Sequence, residues 1–385
     1  MKVSVKEAKS QVEQAVRTYL AKDENGQYLI PAVGRLPIYL LGLPGIGKTE
    51  LLKEIADEMN IGYVSFSLTH HTRNSLLGLP VIRELPDGRK YTEFTMSEVI
   101  AEVEKKRQQG HTEGILMLDE FNCVSETVLP TMLAFLQTKN IGEFTLPDGW
   151  LITMAGNPTE VNRSARALDT ALTDRVRMLE LEFSPKDFLE YAREHNFHPA
   201  VLEYLTRTPA DCYVLSLNKG APETVTARGW ENLSRVLYVQ DQLDIPPSPE
   251  FVCQFIKSDR IVYHFMDCLA ITKAGCTEDE MQTVITGGTP TEDFAERLRN
   301  LSDPMLWLVT EYFYRDLIGR TDKESNVRKA FQNIFSFLHQ LDRPVIMERL
   351  FGMINRDPQL IKVLAKNNPV YRELCREFLK PEDVA

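Results

Sequence analysis

Gly42-Leu43-Pro44-Gly45-Ile46-Gly47-Lys48-Thr49 is the stretch from which the fold is read. It fits G-x-x-x-x-G-K-[ST], the spacing of a phosphate-binding loop. Glycines, having no Cβ, let backbone N–H groups turn inward around phosphate oxygens. Lys48 is placed to reach the β- and γ-phosphates, and the Thr49 hydroxyl to ligate Mg²⁺. Ile38-Tyr39-Leu40-Leu41 reads as a buried strand entering the loop, and Glu50 to Met59 as the helix leaving it, which adds its positive dipole end. Gly42, Leu43, Pro44, Gly45, Ile46, Gly47, Lys48, Thr49 and Glu50 are therefore expected to line a bound nucleotide.

Seventy-one residues after Lys48, Ile115-Leu116-Met117-Leu118 runs into Asp119-Glu120. Four apolar residues followed by two acids describe a buried parallel strand with carboxylates at its C-terminal end, where open α/β sheets bind ligands. Asp119 is expected to hold Mg²⁺ through water, and Glu120 to orient and polarise an attacking water. Leu151-Ile152-Thr153-Met154-Ala155 is another buried strand. It ends at Gly156-Asn157-Pro158, where the Asn157 amide can donate to a γ-phosphate or to the lytic water. Arg175 precedes a further strand, Met178 to Phe183. An arginine on that far side of a domain hardly serves its own nucleotide, but it can serve a neighbour's as an arginine finger. Arg228, at the head of a helix beginning near Thr226, can reach a γ-phosphate from a lid.

Composition bounds the rest. The chain has 385 residues, enough for two or three domains. Lysine and arginine number 44 against 55 acids, a formal charge of −11, which argues against a broad nucleic-acid surface. No apolar run of membrane-spanning length is present, and the N-terminus lacks a signal-peptide core. Six scattered cysteines without C-x-x-C read as reduced thiols of a cytoplasmic protein. Seven histidines show no metal-binding spacing.

Along the chain, Ser4-Val5-Lys6-Glu7 predicts a capping box and a helix through residue 21. His70-His71 falls in a polar loop. Val81 to Glu84 and Lys90 to Phe94 flank Pro86-Asp87-Gly88, a hairpin signal. Helices are expected over 96–109 and 128–137, and a short hairpin over Phe144 to Trp150 with its turn at Pro147-Asp148-Gly149. From Ser184-Pro185 onward the pattern is all-helical, with a polar irregular connection over 207–224 and a break at Gly287-Gly288-Thr289-Pro290. Asp357-Pro358 and Asn368-Pro369 pair a capping residue with proline at the first helical position. The expected division is an N-terminal helix and connection (1–35), a nucleotide-binding core (36–184), a helical lid (185–272) and a helical C-terminal region (273–385).

The phosphate loop, Asp119-Glu120, Asn157, Arg175 and Arg228, in this order, resemble Walker A, Walker B, sensor 1, arginine finger and sensor 2 of the AAA+ ATPases. Leu116-Met117-Leu118-Asp119-Glu120-Phe121-Asn122 is similar to the L-L-L-D-E-I-N stretch of the MoxR type. Thr131-Met132-Leu133-Ala134-Phe135-Leu136-Gln137 is similar to its A-L-L-E-A-M-Q helix. Cys123 stands where that type usually has arginine, and Val176 where it has phenylalanine. The likeness covers about 36 to 240. It implies an α/β P-loop fold, a three-layer core with a five-stranded parallel sheet, followed by a helical lid. It also implies Mg²⁺-dependent ATP hydrolysis and assembly into a ring, expected as a hexamer. The implied work is chaperone-like remodelling of a protein client, often beside a partner with a von Willebrand A-type domain. Two other readings stay open: a nucleic-acid motor of the same fold, and a nucleotide-gated binding module without significant turnover.

Overall fold

The computed structural model describes residues 2–70, 76–162, 164–167, 170–216, 223–320, 323–366 and 368–378, with the side chains of residues 70, 171 and 304 left out. Of the expected polar loop, residues 68–70 form a 3-10 turn, while His71 and the residues after it to 75 lie outside what is described. The chain divides into two compact units, Met1–Phe188 and Leu189–Ala385.

The strands of the first unit are β1 (Lys2–Ser4), β2 (Ile38–Gly42), β3 (Gly62–Ser67), β4 (Pro80–Glu84), β5 (Lys90–Phe94), β6 (Gly114–Asp119), β7 (Asn140–Ile141), β8 (Phe144–Thr145), β9 (Trp150–Gly156) and β10 (Arg177–Glu182). Six of them form one sheet in the order β1-β10-β2-β9-β6-β3, and every pairing in it is parallel. All seven residues of β9 are buried, as are the first five of β6. Both faces of the sheet are covered, which is why these strands read as unbroken apolar runs. Leu116 and Leu118 share a core with Val99, Ile100, Val103, Met132 and Phe135, from helices Glu98–Gln108 and Leu129–Thr138. Ile115 and Met117 alternate to the other face, and helix Lys48–Glu58 packs on β6.

Two expectations are corrected. The sheet has a sixth strand, because Lys2–Ser4 pairs alongside β10 just before the helix Val5–Tyr19. Three residues are too few to show a strand period. The short hairpin also lies earlier than expected. Strand β7 pairs with β8 across Gly142 and Glu143, whereas Pro147-Asp148-Gly149 is the turn into β9, closed by Trp150 N–H donating to the Pro147 carbonyl at 2.9 Å. The other hairpin is β4 with β5, around Pro86-Asp87-Gly88.

The sheet places the site. β2 lies between β9 and β10, both much later in the chain. Leu41 pairs with Gly156, Leu118 with Met154 and Ser67 with Asp119. The C-terminal ends of β2, β9, β6 and β3 therefore share one edge of the sheet, where α/β sheets bind ligands.

The second unit is mainly helical, but 207–224 is not simply irregular. Val214–Ser216 (β11) and Glu223–Val225 (β12) pair antiparallel. Trp230, Tyr204 and Phe265 pack tilted or edge-on against one another in one part of its interior. Phe331, Phe335, Phe351 and Tyr371 do the same in another. Asp357 caps the helix Pro358–Leu364 through two backbone N–H groups, and the Asn368 side chain accepts from Tyr371 N–H at 3.2 Å. Among the described residues, no helix is long and apolar enough to cross a membrane. All six cysteines are unpaired.

Candidate nucleotide site

Gly42 closes β2. A Cβ there would stand 2.8 Å from Ile46 Cδ1 and 2.9 Å from Leu181 Cβ, so packing alone excludes a side chain. Gly45 and Gly47 turn the loop with φ of 73° and 103°, values that favour glycine. Gly47 then caps the helix whose first residue is Lys48. Lys48 is 8% exposed, and its ammonium donates to the Gly42 carbonyl at 2.7 Å, the Leu43 carbonyl at 2.9 Å and Asn157 Oδ1 at 2.9 Å. A buried cation at the N-terminus of a helix favours an anion beside it. Glu50 sits exposed in the first helical turn, 3.7 Å from Lys53.

Thr49 Oγ1 donates to Asp119 Oδ2 at 3.4 Å, joining the start of the helix to the end of β6. Asp119 Oδ1 accepts from the Glu120 N–H at 2.8 Å. Glu120 adopts a left-handed backbone, φ 56° and ψ 35°, and so starts the single turn Phe121–Cys123. Non-glycine residues in that region carry strain that surrounding structure must hold. Part of the holding is visible, since Thr69 Oγ1 donates to Glu120 Oε2 at 2.9 Å.

Asn157 follows β9 directly. Its backbone is gripped by the side chain of Asn122, whose Nδ2 donates to the Asn157 carbonyl at 2.7 Å and whose Oδ1 accepts from the Asn157 N–H at 3.3 Å. Between them Gly156 leaves no room. A Cβ there would lie 2.1 Å from the Tyr39 hydroxyl and 2.6 Å from Asn122 Oδ1. Asn122 was missing from the site expected from sequence, although it is the third residue after Asp119. It matches the final asparagine of the L-L-L-D-E-I-N stretch, but nothing in its neighbours in sequence gives that amide a role. Cys123, next in the chain, accepts from Asn162 Nδ2 at 3.3 Å. Burial and then the neighbouring Glu120 push its thiol up, so it stays protonated at neutral pH.

Lys48, Thr49, Asp119, Glu120 and Asn157 thus meet at one edge of the sheet. Arg175 does not join them. It lies two residues before β10, and Arg177 of β10 pairs with Ile38 at the start of β2. That is the opposite end of the strand from Gly42, roughly 13 Å away along β2. The Arg175 guanidinium faces the Gln137 amide, with Nη2 at 3.2 Å from its oxygen once the amide is turned to accept. Arg228 belongs to the second unit. It is exposed on the first turn of the helix Ala227–Gln242, which Thr226 caps by accepting from Gly229 N–H at 3.1 Å.

The donor set fits a hard cation. A hydroxyl and a carboxylate oxygen stand together at Thr49 and Asp119, and Mg²⁺ commonly takes one or two protein oxygens with phosphates and waters completing its shell. Among the described residues, no group of three or more histidine, cysteine or acidic side chains is arranged to hold a metal by itself.

Residues 38–178 match the family described as "ATPase family associated with various cellular activities (AAA)". Among solved structures, the chain is similar to the RuvB Holliday junction branch migration motor of Thermotoga maritima, with 17% identity, 73% of this chain and 74% of that chain covered, and a TM-score of 0.36. A point mutant of the same motor gives 18% identity, coverages of 78% and 85%, and a TM-score of 0.37. No curated protein matches the chain. With the phosphate loop on β2, the acid pair ending β6 and the family match spanning both, this chain carries an AAA ATPase domain of P-loop fold.

Proposed function

We propose that the chain is a cytoplasmic, ring-forming AAA+ ATPase of the MoxR type, which hydrolyses ATP with Mg²⁺ to remodel a protein partner. The observation that carries this reading is the convergence of Lys48, Thr49, Asp119, Glu120 and Asn157 on one sheet edge. In it, the Gly42–Thr49 loop cradles the phosphates and Lys48 exchanges carbonyl partners for phosphate oxygens. Thr49 and Asp119 are the residues that would hold Mg²⁺, which when bound neutralises and orients the phosphates. Glu120 orients the attacking water and takes its proton, and Asn157 contacts the γ-phosphate. Arg175, on the far edge, completes the site of the next subunit, which makes a ring, in the form of a hexamer, the working assembly. Arg228 adds charge from the second unit. A pure binder has no use for Glu120, and the −11 charge disfavours a nucleic-acid track.

The test measures ATP turnover alone, with single- and double-stranded DNA or RNA at two salt concentrations, and with protein captured by the ATP-loaded Glu120→Gln variant. Turnover indifferent to nucleic acid, with a protein retained only in the ATP state, is expected. Salt-sensitive stimulation by DNA or RNA would replace this reading with a nucleic-acid motor.

A further inference from the structure

Within the second unit, a surface pocket of about 600 Å³ opens between the helices Asp303–Gly319 and Pro344–Ile354 and reaches Phe378. Trp307, Val345, Phe351, Met353 and Phe378 form the apolar part of its wall, and polar groups form a part of similar extent. The floor is firm, because Phe351 is 1% exposed and packs against Phe335, Tyr371 and Phe378. Val345, by contrast, is 56% exposed at the rim.

Two features separate this pocket from ordinary surface roughness. The first is Gly352, inside a helix, where glycine costs stability relative to alanine. A Cβ at Gly352 would meet nothing within 4 Å, so no close packing requires a glycine, and its absent side chain leaves the pocket open. The second is charge. Arg349 and Arg356 line the pocket, and among the described residues neither is paired with a carboxylate. The Arg349 guanidinium lies over the Trp307 ring, 5.3 Å from its centre. Among the described residues of the lining, Glu348 is the one acid. On a chain of net charge −11, two arginines that no described carboxylate pairs, set beside a tryptophan, make a local site of opposite sign. Tryptophan and arginine around a pocket that can take an aromatic side chain are the usual composition of an interface anchor point.

From this we infer that the pocket docks a segment of a partner protein that inserts one large apolar side chain and flanks it with acidic residues. The apolar part of the wall takes the inserted side chain, and Arg349 and Arg356 take the carboxylates. The site is remote in sequence from the phosphate loop and does not depend on nucleotide turnover.

The experiment uses the full chain and short labelled peptides, each carrying one phenylalanine among glutamates, followed by fluorescence anisotropy. Saturable binding is expected, at least about tenfold weaker when the phenylalanine becomes alanine or the glutamates become lysines. Gly352→Phe fills the pocket and should weaken binding about tenfold or more, whereas Gly352→Ala should retain it. The exposed pair Arg349→Glu and Arg356→Glu should exchange preference toward the lysine-flanked peptide, and it tests the site even if Gly352→Phe fails to fold. ATP turnover stays unchanged in all of these variants. Absence of saturable binding up to about 1 mM, or binding indifferent to both the pocket and the flanking charge, would overturn the proposal. So would concentration-dependent self-association that Gly352→Phe abolishes, since the occupant would then be a second copy.

Discussion

The side chain of Asn122 holds both backbone groups of Asn157, donating to its carbonyl at 2.7 Å and accepting from its N–H at 3.3 Å. Asn157 in turn accepts from the Lys48 ammonium at 2.9 Å. Asn122 is therefore a positioning residue for the contact between strand end and phosphate loop, one link removed from the phosphates. Asn122→Ala should lower kcat about tenfold while leaving the ATP dissociation constant within a few-fold, because only the placement of Asn157 is lost. Its Tm should fall by an amount equivalent to about 1–3 kcal/mol, since two part-buried backbone groups lose their partner. A purely structural role would lower Tm without separating kcat from binding.

The legibility of this chain follows the range of the interactions involved. Buried parallel strands advertise themselves as apolar runs, so β2, β6 and β9 were readable, as was the shared edge that gathers Lys48, Asp119 and Asn157. Local caps were equally readable. Glu7 and Ser4 bond reciprocally at the head of the first helix, and Ser184 accepts from Asp187 N–H at 3.2 Å. What escaped was decided by tertiary partners. Lys2–Ser4 becomes a strand only because β10 offers an open edge. Val214–Ser216 becomes a strand only by pairing with Glu223–Val225. Asn122 matters because it meets Asn157, 35 residues away, and no spacing rule links them.

Arg175 stands at the edge of the sheet opposite the phosphate loop, which predicts action on a neighbouring subunit. Arg175→Ala alone should reduce turnover by about 10³-fold or more. Lys48→Ala alone should be comparably inactive. An equal mixture of the two should recover activity, toward about a quarter of the wild-type value if rings assemble at random and each site needs one intact protomer on each side. No recovery on mixing, in a sample that sediments as mixed rings, would assign Arg175 to its own site or to none.

Lys139 and Arg35 form a second pairing of consequence. They are 5% and 3% exposed, and among the described residues neither has a carboxylate partner. Arg35 donates through Nε to the Ile30 carbonyl at 2.8 Å and lies over the Tyr28 ring, while Lys139 donates to the Leu136 carbonyl at 2.6 Å. Burial first, and then the Arg35 charge, lower the Lys139 pKa to about 8 from an ordinary 10.5. Between those two values the unfolded chain binds more protons than the folded one, so stability rises with pH across that window. Lys139→Met should be more stable than wild type at pH 7, by about 1–3 kcal/mol. It should also lose its share of the alkaline rise. Denaturant melts of both proteins from pH 7 to 10.5 check this. Parallel stability curves would mean that the lysine carries no burial penalty.

The central claim is that the acid pair ending β6 makes a phosphate-binding loop into a hydrolytic site. Glu120→Gln tests it most directly, with ATP binding and turnover measured on the same preparation. The expected result is an ATP dissociation constant within about threefold of wild type and a kcat lower by about 10²–10⁴-fold. Turnover close to wild type in that variant would remove Glu120 from the chemistry and contradict the claim.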